Sequence, residues 1–180
     1  MRKKIRKWFW AWNFDEEEKW LNEMAAKGLV LVAIGYGSYT FEECLPGEYN
    51  IRLELLENYP SNPQSENYIK FIEETDAEYL GAVMRWAYFR KKVKYGTFDL
   101  YSDFESRIKH MKRIQLLLGV LVIPNVYMGI YNISLRFIVN SQASLYIGII
   151  SLCCAMLIGY GFFKVNRKKS KLKKEKQLFE

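Results

Sequence analysis

Few side chains in this sequence are placed to do chemistry. His110 is the only histidine, set in the run RIKHMKR. No cysteine or carboxylate pair stands near it to complete a nucleophile–base arrangement. Its neighbours Lys109 and Lys112 are basic, so His110 is expected to face lipid headgroups rather than to serve as a base or pH sensor. Glu42, Glu43, Glu48 and Glu54 fall on neighbouring expected strands. Paired carboxylates do acid–base work when burial drives their pKa values apart. Alternating solvent-facing positions explain these four with less. The glycines of GYGSY lack the GxxxxGK[ST] spacing that cradles a phosphate. Cys44, Cys153 and Cys154 are odd in number and two are adjacent, which gives neither a disulfide framework nor a metal spacing. No catalytic, cofactor-binding or metal-binding set is expected, and the chain reads as non-enzymatic.

The aromatic residues are the other candidates. Trp8, Trp10, Trp12, Trp20, Trp86 and Tyr88 are more than a small core requires. Core packing accounts for them most simply. The sharper reading is a surface or cleft for a protein partner, or for a hydrophobic small molecule or peptide.

The elements that hold these residues follow from periodicity. Trp8, Trp10, Trp12 and Phe14 alternate with Phe9, Ala11 and Asn13, which predicts a first strand with one aromatic face. Asp15 and Glu18 have capping-box spacing, Glu16 and Glu17 suit a positive helix end, and Gly28 suits the helix stop. The segments LVLVAIGY, SYTFEEC and YNIRLELL read as three strands, with Pro46-Gly47 suiting a type II turn. In the third, Tyr49, Ile51, Leu53 and Leu55 share one face and Asn50, Arg52 and Glu54 the other. A short helix over about 65–74 precedes AEYLGAVM and WAYFRKK, a final pair of strands or one bent strand. Residues 1–100 are thus expected to form an α+β cytoplasmic domain, an antiparallel sheet with two helices, ferredoxin-like in one variant. Residues 101–113 read as an amphipathic connector helix, with Ser102 as its cap.

Beyond Arg113 the character changes. Up to Lys164 the only charged residue is Arg136, which separates two apolar stretches. Each is long enough for a transmembrane helix, about 20 residues. The expected organisation is a span at 114–135, a short outer loop at 136–143, a second span at 144–163 and a basic tail at 164–180. Pro124-Asn125 is expected to kink the first span, with Asn125 bonding across the helices. In the second span Ser144, Gly148, Ser151, Ala155 and Gly159 recur at spacings of three and four. Small residues let helices approach, either within the hairpin or between two copies as a homodimer.

The formal net charge is +7. Lys164, Arg167, Lys168, Lys169, Lys171, Lys173, Lys174 and Lys176 crowd the tail against Glu175 and Glu180, leaving the rest nearly neutral. That distribution fits a membrane flank and argues against direct nucleic-acid binding. Lys164, Arg167, Lys168 and Lys169 are the expected membrane-surface residues. Positive residues before the first span and after the second place both termini in the cytoplasm. The opening MRKKIRKWFWAWNF has too short an apolar run for a signal sequence or an anchor.

The segments DEEEKWLNEMAAKGLVL, GYGSYTFEECLPGEYNIRLELLE and YIKFIEETDAEYLGAVMRWAYFRKK occur in that order, and SDFESRIKHMKRI precedes the apolar stretches. Together they resemble the bacterial family called domain of unknown function 2812, over about residues 7–113. The paired spans that follow are similar to those of many members. The resemblance implies a membrane protein of Gram-positive bacteria with uncharacterised activity, often encoded beside a PadR-like transcriptional regulator. It therefore implies a regulatory protein partner, and it supplies no catalytic residues.

Overall fold

A computed structural model describes residues 2–101 and 103–179. The chain forms two compact units, divided between residues 102 and 103. The first is α+β. Its elements are β1 (Lys3–Arg6), α1 (Phe14–Ala26), β2 (Leu29–Gly35), β3 (Ser38–Glu43), β4 (Tyr49–Leu55), α2 (Pro63–Glu73), β5 (Ala77–Val83) and β6 (Trp86–Lys92). The strands make two antiparallel three-stranded sheets, β1-β3-β2 and β4-β6-β5.

These two sheets are two turns of one pattern. Each half runs strand, helix, hairpin, and in each the first strand pairs with the last. The likeness extends to detail. The first hairpin strand carries a register shift in both halves, between Leu31 and Ala33 and between Tyr79 and Gly81. The residue before that strand is left-handed in both, Gly28 at φ 81° and Asp76 at φ 63°. Both hairpins close through two residues, Tyr36-Gly37 and Met84-Arg85, one of which has positive φ. Glycine adopts that conformation without cost, and Met84 does not.

The halves meet along β2 and β5, where the Arg90 guanidinium donates to the Leu31 carbonyl at 3.1 Å. One core lies under α1 and gathers Leu21, Leu31, Phe41, Ile51, Leu53 and Tyr88 from both sheets. A second lies under α2 and gathers Ile69, Ile72, Ala87 and Phe89. The β4-β6-β5 sheet is therefore covered on both faces. This corrects the expectation for Glu54, which is 2% exposed rather than solvent-facing. The alternation in β4 is real, but α2 closes over its polar face.

The aromatic opening is not a strand. β1 lies earlier, at Lys3–Arg6, and pairs with β3. Residues 8–10 run irregularly into a 3-10 turn at Ala11–Asn13 and then into α1. Asn13 is the N-cap of α1 and makes no side-chain cap bond, so the capping-box reading of Asp15 and Glu18 does not hold. Asn62 caps α2, its side chain accepting from the Gln64 N–H at 3.0 Å, with Pro63 at the first helical position.

The second unit is a pair of long antiparallel helices, α3 (Phe104–Val139) and α4 (Gln142–Phe179). Both are long and apolar enough to cross a membrane. The expected Ser102 cap lies outside the described residues. Asp103 caps α3, its side chain accepting from the Ser106 N–H at 2.6 Å. Only Asn140 and Ser141 separate the helices, and Asn140 takes the left-handed conformation that turns the chain. α3 runs as one helix through Pro124. Asn125 bonds its own helix, donating to the Leu121 carbonyl at 2.8 Å, and not across to α4. The basic tail continues α4 as helix.

Candidate functional site

α1 carries the polar side chains that tie the α+β unit together. Glu17 is buried, and its Oε1 accepts the Tyr39 hydroxyl at 2.7 Å and the Tyr88 hydroxyl at 2.5 Å. The three residues come from α1, β3 and β6, so one carboxylate oxygen joins the two sheets. Burial raises the Glu17 pKa, and the two phenol donors pull it back in part. Burial, and then the facing carboxylate, raise both tyrosines.

The next residue, Glu18, and Asn22 one turn beyond it meet the outer edge of β4. Glu18 Oε2 accepts the Leu53 N–H at 3.0 Å, and its Oε1 pairs with Arg52 at 2.9 Å. The Asn22 amide both donates to the Ile51 carbonyl and accepts the Ile51 N–H, each at 2.9 Å. A sheet edge presents unpaired backbone groups, and here side chains of a helix take them up. Burial raises the Glu18 pKa, opposed by the Leu53 N–H and Arg52. The acidic run does suit the helix start, but its second function is this tie, which the sequence reading missed. Helical spacing from Leu21 and Ala25 was the available signal, since it places Glu17 and Glu18 on the buried side.

The carboxylates singled out for acid–base chemistry are dispersed. Glu54 is bonded by the Tyr68 hydroxyl at 2.5 Å on the α2 side. Glu48 pairs with Lys92 at 2.8 Å and Glu42 with Arg2 at 2.6 Å, while Glu43 is exposed. Both paired groups sit below the usual carboxylate range, chiefly through the hydrogen bond from the cation. His110 corrects its expectation as a surface residue. It is 1% exposed. Among the described residues, no three His, Cys, Asp or Glu side chains gather as a metal site.

The aromatic set divides. Trp20 lies edge-on to Tyr39 at 5.0 Å and to Phe41 at 5.7 Å, at the border of the core that holds Tyr88. Trp86 stacks on Phe14 at 5.6 Å, and Trp12 is buried with its ring 5.0 Å from Trp10. Trp8 and Trp10 are 54% and 43% exposed. Trp8 packs against Tyr36, itself 73% exposed, at 5.2 Å. The six residues do not line one cleft. The groove along α1 and β4 is open and charged, bordered by Asp15, Lys19, Glu23 and Arg52.

In the helical pair, Gly148 and Ala155 face α3 and are buried, Ser151 is half-buried, and Gly159 has open space beside it. Gly148 lies against Gly129, where a Cβ on Gly148 would stand 3.0 Å from the Gly129 carbonyl oxygen. At the far end Gln115 donates to Asn166 at 3.0 Å and accepts from Lys169, a polar closure of the apolar stretch. Arg167 lies over the Phe163 ring at 5.7 Å. Lys164 and Lys168 are half-buried on α4.

The family model described as "Protein of unknown function (DUF2812)" matches residues 13–123. The chain belongs to that family. The match runs from the end of the 3-10 turn through the α+β unit and into the apolar part of α3. It takes in Glu17, Tyr39 and Tyr88 and leaves out β1, Trp8, Trp10 and α4. No curated protein and no solved structure matches the chain.

Proposed function

We propose that this chain is a non-enzymatic regulatory module held at the bacterial cell membrane, with both termini in the cytoplasm. Its α+β unit engages a regulatory protein, and the family resemblance points to a PadR-like regulator. The observation that carries the non-enzymatic reading is the use made of the carboxylates. Glu17, Glu18 and Glu54, the acidic groups drawn inside, are each spent on bonds that join elements. The anchor is supported by exposure. Only 22% and 17% of the most apolar stretches of α3 and α4 are buried, whereas a soluble core helix would be covered. The basic residues flanking the pair support a cytoplasmic side for both ends.

The test is co-purification. The full chain, tagged at its C-terminus, is extracted in mild detergent and its associated proteins are identified. Recovery of a DNA-binding regulator, reconstituted afterwards from the two purified proteins, supports the reading. Failure of the purified pair to associate refutes the assigned partner.

One observation favours a second reading, a sensor for hydrophobic molecules. Glu17 with Tyr39, Tyr88 and the Trp20 ring is a carboxylate in an aromatic setting, which suits a lipophilic cation. Such a ligand must displace the phenols. It would quench tryptophan emission in the parent and leave Glu17→Gln unchanged, and a panel of lipophilic cations with no effect on the parent ends this reading.

A further inference from the structure

The N-terminal surface of the α+β unit has a composition that its core does not explain. Arg2, Lys3, Lys4, Arg6 and Lys7 occupy five of the six positions before Trp8, and the first acid is Asp15. All five cations are exposed. Glu42 faces Arg2, and Lys7 lies over the Phe9 and Trp20 rings at 4.8 and 4.5 Å. The strand Lys3–Arg6 leads directly to Trp8 and Trp10, and Trp8 is the ring that touches both Trp10 and the exposed Tyr36. Trp8 sits edge-on to Trp10 at 6.2 Å and to Tyr36 at 5.2 Å. The backbone fixes this group. The Lys7 N–H donates to the Gly37 carbonyl at 3.2 Å, and a Cβ at Gly37 would stand 3.3 Å from the Trp8 ring. Gly37, at φ 62°, therefore admits both the turn and the indole.

We propose that Trp8, Trp10 and Tyr36, with Lys3, Lys4 and Arg6, form a docking surface for an anionic lipid bilayer. Indole and phenol rings prefer the headgroup level, where one end is apolar and the other wet. Basic side chains add attraction to the negative leaflet within a screening length. Either feature alone would be ordinary, but here five exposed cations immediately precede Trp8 in the chain, and Trp8 gathers Trp10 and Tyr36 around it. A bilayer is the occupant these charges fit, and a chain that continues into α3 keeps one near. The proposal rests on the membrane reading above. It makes the α+β unit a peripheral membrane domain in its own right.

All five tryptophans lie between residues 8 and 86, so the emission of the full chain reports this unit alone. The full chain is placed in nanodiscs of neutral phosphatidylcholine or of phosphatidylcholine with phosphatidylglycerol, with plain or brominated acyl chains. Brominated lipid should quench emission in the anionic discs. The quenching should fall away in neutral discs, in about 1 M salt, where the screening length is ~3 Å, and in Trp8→Ser/Trp10→Ser. The Lys3→Glu/Lys4→Glu/Arg6→Glu variant keeps every indole and should lose the quenching too. Its unchanged circular dichroism excludes misfolding as the cause. Equal emission in plain and brominated anionic discs overturns the proposal, as does quenching that survives both variants. A chain that fails to enter discs contradicts the anchor itself, whereas a disc-bound chain with unquenched emission contradicts only this docking surface.

Discussion

Tyr88 on β6 donates its hydroxyl to Glu17 on α1, and the bond crosses from the second strand–helix–hairpin half to the first. The same oxygen takes the Tyr39 hydroxyl, so the halves share one acceptor. Replacing Glu17 by alanine leaves two buried phenols without it and should cost about 3 kcal/mol. Replacing it by glutamine keeps an oxygen for both donors and removes the cost of a buried charge, so stability should stay within about 1 kcal/mol of the parent. Thermal unfolding followed by tryptophan emission measures both.

The same pair sets a pH dependence. Burial holds the Glu17 pKa above its ordinary value of 4.5. As pH rises past 4.5 the unfolded chain releases this proton first, so this group's contribution to stability falls until the folded pKa is passed. Glu42, Glu48 and Asp103 are shifted down and act in the opposite sense, losing stability as pH falls. The difference between the parent and Glu17→Gln isolates the first effect. The parent should gain on the variant as the solution is acidified from neutrality toward 4.5, in matched denaturant titrations.

Asn22 should matter beyond its half-exposed position. Its amide satisfies both backbone groups of Ile51 on the outer edge of β4. Asn22→Ala should destabilise the α+β unit by about 2 kcal/mol. It should also raise amide exchange at Ile51 above that at Ile5, which lies on a different strand.

Met84 occupies a left-handed position at φ 57° and is 64% exposed. No core contact is lost by removing so exposed a side chain. Met84→Gly should therefore stabilise by about 0.5–1 kcal/mol, the strain relieved outweighing the added chain entropy. A raised midpoint in urea would show it.

The helical pair makes a positional prediction. Gly148→Val would push into the Gly129 backbone and should open the α3–α4 contact, lowering cross-linking between cysteines introduced at Gly119 and Phe162. A Cβ at Gly159 meets nothing within 4 Å among the described residues, so Gly159→Val should leave that cross-link unchanged. If Gly159→Val instead shifts the mass of the detergent complex, that face joins two copies.

Element order was legible because it rests on local periodicity. The strands after Gly28 and the final hairpin lie within a residue or two of where alternation placed them. The aromatic opening misled because a period of two in Trp8, Trp10 and Trp12 also fits an irregular segment with rings on both sides. The repeat was hidden because its matching positions hold different residues: Gly28 stands against Asp76 with only the left-handed conformation in common, and the turn Tyr36-Gly37 stands against Met84-Arg85 with the positive φ at the second residue in one and the first in the other. Glu17 was read as helix chemistry alone, since nothing local to DEEE announces Tyr39 or Tyr88. The burial of Glu54 and His110 likewise depends on neighbours distant in sequence. The apolar pair of helices was readable because it depends on composition alone.

The central claim is a cytoplasmic α+β unit held at the membrane by α3 and α4. The most direct measurement is made on cells carrying the full chain with a different epitope at each end. Their membranes are washed in alkaline carbonate and then, as sealed vesicles of either orientation, treated with protease. The chain should stay with the carbonate-washed membranes, and both epitopes should be cut only where the cytoplasmic face is outward. Release by carbonate, or cleavage of the two epitopes from opposite faces, would contradict the account.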